Sequence, residues 1–89
     1  MAALLEDDEQ LAVGTAVSFS APCTVHCTGV LGGARVILEV SLTGDSGTWS
    51  RAHTFRNLSA TNVDHQGTYF LRGKVGAGDA TTSVTLTTT

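Results

Sequence analysis

An all-β fold, a single antiparallel sandwich of six to seven strands with a small β-barrel as the alternative, follows from three observations. Fourteen threonines and nine valines against one proline give the 89 residues a β-branched excess. Such side chains suit pleated strands and disfavour helix. Apolar residues recur at every second position over several segments, and no segment carries a helical period. Ten glycines punctuate these segments at short intervals, the spacing of turns between short strands.

The segments follow in order. Residues 15–20 place Val17 and Phe19 inward before Pro22 interrupts. Residues 23–28 set Cys23, Val25 and Cys27 on one face and Thr24, His26 and Thr28 on the other. After a Gly32-Gly33 turn, residues 34–42 give the clearest alternation: Val36, Leu38, Val40 and Leu42 inward, Arg35, Glu39 and Ser41 outward. Ile37 breaks that polar face and is a candidate contact residue. Thr43 to Gly47 reads as a hairpin turn. Residues 48–56 then put Trp49 and Phe55 on the core side. Residues 57–66 read as a crossing loop whose Leu58 and Val63 plug the core edge. Residues 68–75 carry Tyr69, Leu71 and Val75 inward and Thr68, Arg72 and Lys74 outward. Beyond the Gly76–Asp79 turn, residues 80–88 close the sheet with Val84 and Leu86.

Charge is unevenly placed. Glu6, Asp7, Asp8 and Glu9 hold four of the eight acids, while all five bases (Arg35, Arg51, Arg56, Arg72, Lys74) fall in the middle of the chain. Residues 1–14 are therefore expected to form an acidic N-terminal arm attached to a sandwich of residues 15–89. In that expectation Leu4, Leu5 and Leu11 anchor the arm on a neighbouring subunit, because four adjacent carboxylates cannot build a core of their own. A solvated tail and an added edge strand are the alternatives. A net charge of −3 and a pI near 5.3 argue against nucleic-acid binding. No apolar run reaches the length of a membrane span. Met1 to Leu5 lacks the positive start of a secretory signal, so the expected compartment is a reducing cytoplasm.

In that setting Cys23 and Cys27 are expected to be free, buried thiols. Four residues of strand hold two sulfurs too far apart to bond. Their spacing lacks the second ligand pair of a zinc site, so no metal or other cofactor is expected. No enzymatic activity is expected either. Cys23 or Cys27 with His53 and Asp64 is the one nucleophilic set that can be drawn, and nothing local activates either thiol.

The run Asp64-His65-Gln66-Gly67-Thr68-Tyr69-Phe70-Leu71 resembles the corner of immunoglobulin-type domains. There a Tyr enters the strand after a crossing loop and its hydroxyl bonds back to the loop backbone. The resemblance implies an Ig-like sandwich with Asp64, Gly67 and Tyr69 as structural corner residues, Tyr69 bonding into residues 57–66. This chain has one extra residue between Asp64 and Gly67, and Leu71 where that family has a cysteine. Gly67 to Arg72, Gly76 to Asp79 and Gly44 to Trp49 are similar to segments of short Ig-like virion proteins of tailed bacteriophages. That similarity implies a structural protein of the virion, made in the host cytoplasm. It would be a capsid decoration or cement protein contacting the major capsid protein or other virion subunits, and forming a homo-oligomer on a symmetric lattice. The alternative is a tail or fibre module that binds a receptor or carbohydrate. The expected placement of Phe19, Trp49, Phe55 and Tyr69 in the core leaves only Phe70 outward for stacking on sugars, which favours the structural class. The partner-contact candidates are Leu4, Leu5, Glu6, Asp7, Asp8, Glu9, Leu11 and Ile37.

Overall fold

A computed structural model describes residues 2–89; Met1, first residue of the expected arm, lies outside them. Eight strands run in chain order: β1 (Ala2–Asp8), β2 (Val17–Phe19), β3 (Cys23–Val30), β4 (Val36–Ser41), β5 (Ser50–Phe55), β6 (Ala60–Val63), β7 (Tyr69–Val75) and β8 (Ser83–Thr88). They form two four-stranded antiparallel sheets. Sheet A has the order β1-β8-β3-β6 and sheet B the order β2-β7-β4-β5. The expected all-β sandwich is present, with eight strands where six or seven were expected.

The strand order has a simple origin. Strands β1 and β8, β2 and β7, β3 and β6, and β4 and β5 all pair. These four pairs make one long two-stranded ribbon turned back at the β4–β5 hairpin. Rolling the ribbon brings β8 against β3 and β7 against β4. This is the winding of a double-sheet jelly roll. In an immunoglobulin domain the last two strands are neighbours in one sheet; here β7 and β8 lie in opposite sheets. The likeness to that family therefore extends to the sandwich and not to its winding.

The inward faces meet in a core that includes Val25, Cys27, Val36, Leu38, Phe55, Tyr69, Leu71, Val84 and Leu86. Strand β7 alternates perfectly, every odd residue from Tyr69 to Val75 being buried. Gly73 is one of these because space forbids anything larger: an added Cβ would lie 2.7 Å from Leu86 and 2.9 Å from Leu5.

The expected boundary after residue 14 does not divide the structure. Residues 2–8 are the edge strand of sheet A, and Leu4 and Leu5 are each only 2% exposed. Two neighbours in a regular strand point to opposite faces. Both face inward here because the β1–β8 register slips between Ala3 and Leu5 and again between Leu5 and Asp8. Burying two leucines, at about 1.5–3 kcal/mol each, offsets the mutual repulsion of the acids that follow. The chain then crosses to sheet B. Gly14 N–H donates to Gly73 O and Val75 N–H to Ala12 O, at 2.8 Å each, which lays residues 12–14 beside β7 ahead of β2.

Three further expectations need correction. Residues 60–63, read as loop, form β6; Val63 is buried as expected, whereas Leu58 is exposed. Leu42 is also exposed, because β4 ends at Ser41 and the chain has already turned. Trp49 precedes β5 and lies outside the core.

Candidate interaction surface

Alternation along β4 and β7 sets Ile37, Glu39, Phe70, Arg72 and Lys74 on the outer face of sheet B. Register brings Glu39 beside Arg72 on one side and Arg51 on the other. The Arg72 Nε–H donates to Glu39 Oε1 at 2.8 Å. The Arg72 guanidinium also lies over the Trp49 ring, 4.3 Å from its centroid. A guanidinium held by both a carboxylate and an aromatic face gains the planar contacts that a lysine would lack. The three side chains form a rigid, half-buried patch in the middle of the face. Beside it, the 42–48 turn folds over Phe70 and Ser41. Thr43 N–H and Gly44 N–H both donate to Ser41 Oγ, at 3.2 and 2.8 Å. Gly44 has φ +79° and sits against the Phe70 ring, where an added Cβ would come within 3.3 Å.

Arg72–Glu39 is the one ion pair among the described residues. The other four bases flank the same sheet. Arg51 is in β5, Lys74 in β7, Arg35 one residue before β4 and Arg56 one residue after β5. Strands of sheet A carry no Lys or Arg, and their acids are Glu6, Asp7 and Asp8. The molecule is thus charged oppositely on its two sheets.

The expected contact residues do not form one patch. Leu4 and Leu5 are core residues and are unavailable to a partner. Glu6, Asp7 and Glu9 are exposed along the β1 edge, with Asp8 half-buried. Asp7 adopts φ +50° and is fixed by its N–H donating to Thr85 Oγ1 at 3.1 Å. Glu6 N–H donates to Asp8 Oδ2 at 3.2 Å. Leu11, at φ +64°, is 69% exposed in the crossing between the sheets. Ile37 lies on the other sheet, half-buried between Thr54 and Lys74. Trp49 and Arg72 were not among the expected contact residues. The signal for Trp49 was its place only two residues after Gly47, between the turn and β5.

Of the corner residues, Asp64 and Gly67 are exposed in the β6–β7 loop, Gly67 at φ +80°. Tyr69 is buried as expected, but its hydroxyl donates to Ala21 O in the β2–β3 connection and not to residues 57–66. The cause is the winding: β2, not β6, is the strand paired with β7, and Phe19 stacks on Tyr69 with centroids 5.7 Å apart. Burial pushes the Tyr69 phenol well above its ordinary value, and the adjacent Cys23 sulfur, 3.5 Å away, adds to the shift.

Cys23 and Cys27 are both free. Cys27 is buried and Cys23 half-buried. Burial pushes the Cys27 thiol up to about 11, opposite to the shift that makes a cysteine nucleophilic.

No protein-family model matches the chain, and neither a curated protein nor a solved structure matches it.

Proposed function

We propose that the chain is a non-enzymatic structural protein of a bacteriophage virion, of the capsid decoration or cement type. In this reading it binds the major capsid protein or other virion subunits and repeats on a symmetric lattice. The observation that carries the reading is the division of charge: four bases without an ion-pair partner at sheet B, and an acidic edge on sheet A. Complementary charged patches steer subunits together and fix their register. The likeness of the glycine turns to short virion proteins supplies the setting, and jelly rolls are a recurrent capsid architecture, a likeness of fold alone.

One observation favours the second reading, a tail or fibre module that binds a receptor or carbohydrate. Trp49 is half-exposed at the surface, with charged side chains beside it, as a sugar-stacking platform requires.

Quantitative mass spectrometry of purified particles that encode the chain separates the readings. A copy number in proportion to the capsid lattice supports decoration. A copy number matching a tail component supports the fibre reading, and absence from particles overturns both.

A further inference from the structure

We infer that copies of this chain associate head to tail, the acidic β1 edge of one copy docking on the basic β5 edge of the next. The inference deepens the assembly reading above and rests on it for its biological setting.

The outer side of β5 is an unpartnered sheet edge, since β5 ends sheet B and pairs only with β4. It presents Arg51 and Arg56, both exposed and neither in an ion pair, with Leu58 54% exposed just beyond. The carboxylate that register sets opposite Arg51, that of Glu39, is already held by Arg72. Strand β1 likewise ends sheet A with no further strand paired to it, although Gly14 lies against the Leu4 backbone. Glu6 and Asp7 of β1 and Glu9 just after it are exposed, and Leu11 is 69% exposed in the crossing that follows. The two edges thus carry opposite charge, each with an exposed leucine close by in the chain.

The two edges cannot neutralise each other within one molecule. Strand β1 packs over β7, whereas β5 lies beyond β4 on the far side of sheet B. A second copy satisfies both, and a patch that meets a different patch makes a heterologous contact, which closes into rings or extends in rows. Space allows it: a stable interface takes about 800 Å² from each partner, near a sixth of the 4898 Å² surface, so both edges can be engaged at once.

The test uses two full-length variants whose changes lie at exposed positions. Arg51→Glu/Arg56→Glu inverts the basic edge. Glu6→Lys/Glu9→Lys cancels the charge of the acidic edge and leaves Asp7 and Asp8, which fix the local backbone, in place. Circular dichroism and a cooperative melt establish that each is folded. In sedimentation velocity the unchanged chain should form concentration-dependent oligomers. Association should weaken by tenfold or more between roughly 0.01 M and 1 M salt, as the screening length falls from about 30 Å to about 3 Å. Each variant alone keeps one charged edge and lacks the opposite charge it would dock on, so it should stay monomeric. An equimolar mixture should regain association, because the intact acidic edge of one variant meets the intact basic edge of the other. An unchanged chain that is monomeric at low salt overturns the inference, as does a variant that still oligomerises like the parent. Neither result bears on copy number in particles, so failure here and failure of the virion reading are told apart.

Discussion

The two sheets share one core but solve the problem of an outer face differently. On sheet A the outward residues of β3, β6 and β8 are mostly neutral and bond among themselves. Thr24 Oγ1 donates to Asn62 Oδ1 at 2.8 Å, and register sets Thr28 beside Thr85 and His26 beside Thr87. Such cross-strand pairs add about 0.2–1 kcal/mol each and leave no charge unanswered. Sheet B concentrates its cations and neutralises only one of them, Arg72, in the Trp49–Glu39 patch. The face of β3, β6 and β8 is thus neutral and lined mainly by threonines. On sheet B and its edge, Arg35, Arg51, Arg56 and Lys74 have no ion-pair partner among the described residues.

Breaking the feature that joins the sheets should have the largest effect. Leu5→Ala removes a core side chain that packs against Gly73 of β7, and should cost about 2–5 kcal/mol in a denaturant melt. Against a total of about 5–15 kcal/mol that is a severe loss. If Leu5 were instead a partner anchor, the isolated protein would lose nothing.

Tyr69→Phe sharpens the comparison at the other end of the roll, where the hydroxyl ties β7 to the β2–β3 connection. The expected cost is about 1 kcal/mol, one net hydrogen bond. An unchanged melting curve would remove the tie.

The pH dependence of stability follows from Cys27 on sheet A. Its thiol is raised from 9.0 to about 11 by burial, so the folded state favours the protonated form. That contribution is complete below pH 9, where the unfolded thiol is also protonated, and falls as pH rises from 9 towards 11. Cys27→Ala should flatten this alkaline decline relative to the parent.

The smallest effect is expected at the centre of sheet B. Arg72→Met breaks a pair whose side chains are 27% and 15% exposed, and should cost only about 0–1 kcal/mol. The emission of Trp49, the single tryptophan, should nonetheless shift as the guanidinium leaves its ring. A large loss of stability here would mean that the patch is structural and not a surface for partners.

Where one face was buried and the strand regular, the sequence was legible. Strands β4 and β7 follow their period-two patterns because a one-residue slip would expose every core side chain. Ser41 departs from the pattern, expected outward but buried beneath the 42–48 turn. The exceptions have physical causes. Leu4 and Leu5 are consecutive, which no alternation reads as strand, and two register slips are what turn both inward. The acids after them suggested a solvated arm, although charge on an edge strand is also how proteins keep such edges from indiscriminate pairing. Strand β6 has four residues and one buried side chain, too little for a periodic signal. The winding was not legible either, because strand partners depend on which turns close first and not on composition. At the candidate surface, Arg72, Glu39 and Lys74 were correctly placed outward by alternation. Their grouping with Trp49 and Arg51 required the β4–β5 and β4–β7 registers.

Residues 2–8 are a strand of the roll, and their pairing with β8 holds Glu6, Asp7 and Asp8 on a fixed edge of sheet A. Thermal unfolding of a chain lacking residues 2–10 tests it most directly. Without Leu4, Leu5 and the pairing of β1 with β8, the truncated chain should lose its cooperative transition or melt far below the parent. A truncated chain that melts cooperatively at the parent's temperature would contradict the account and restore the acidic segment as a dispensable arm.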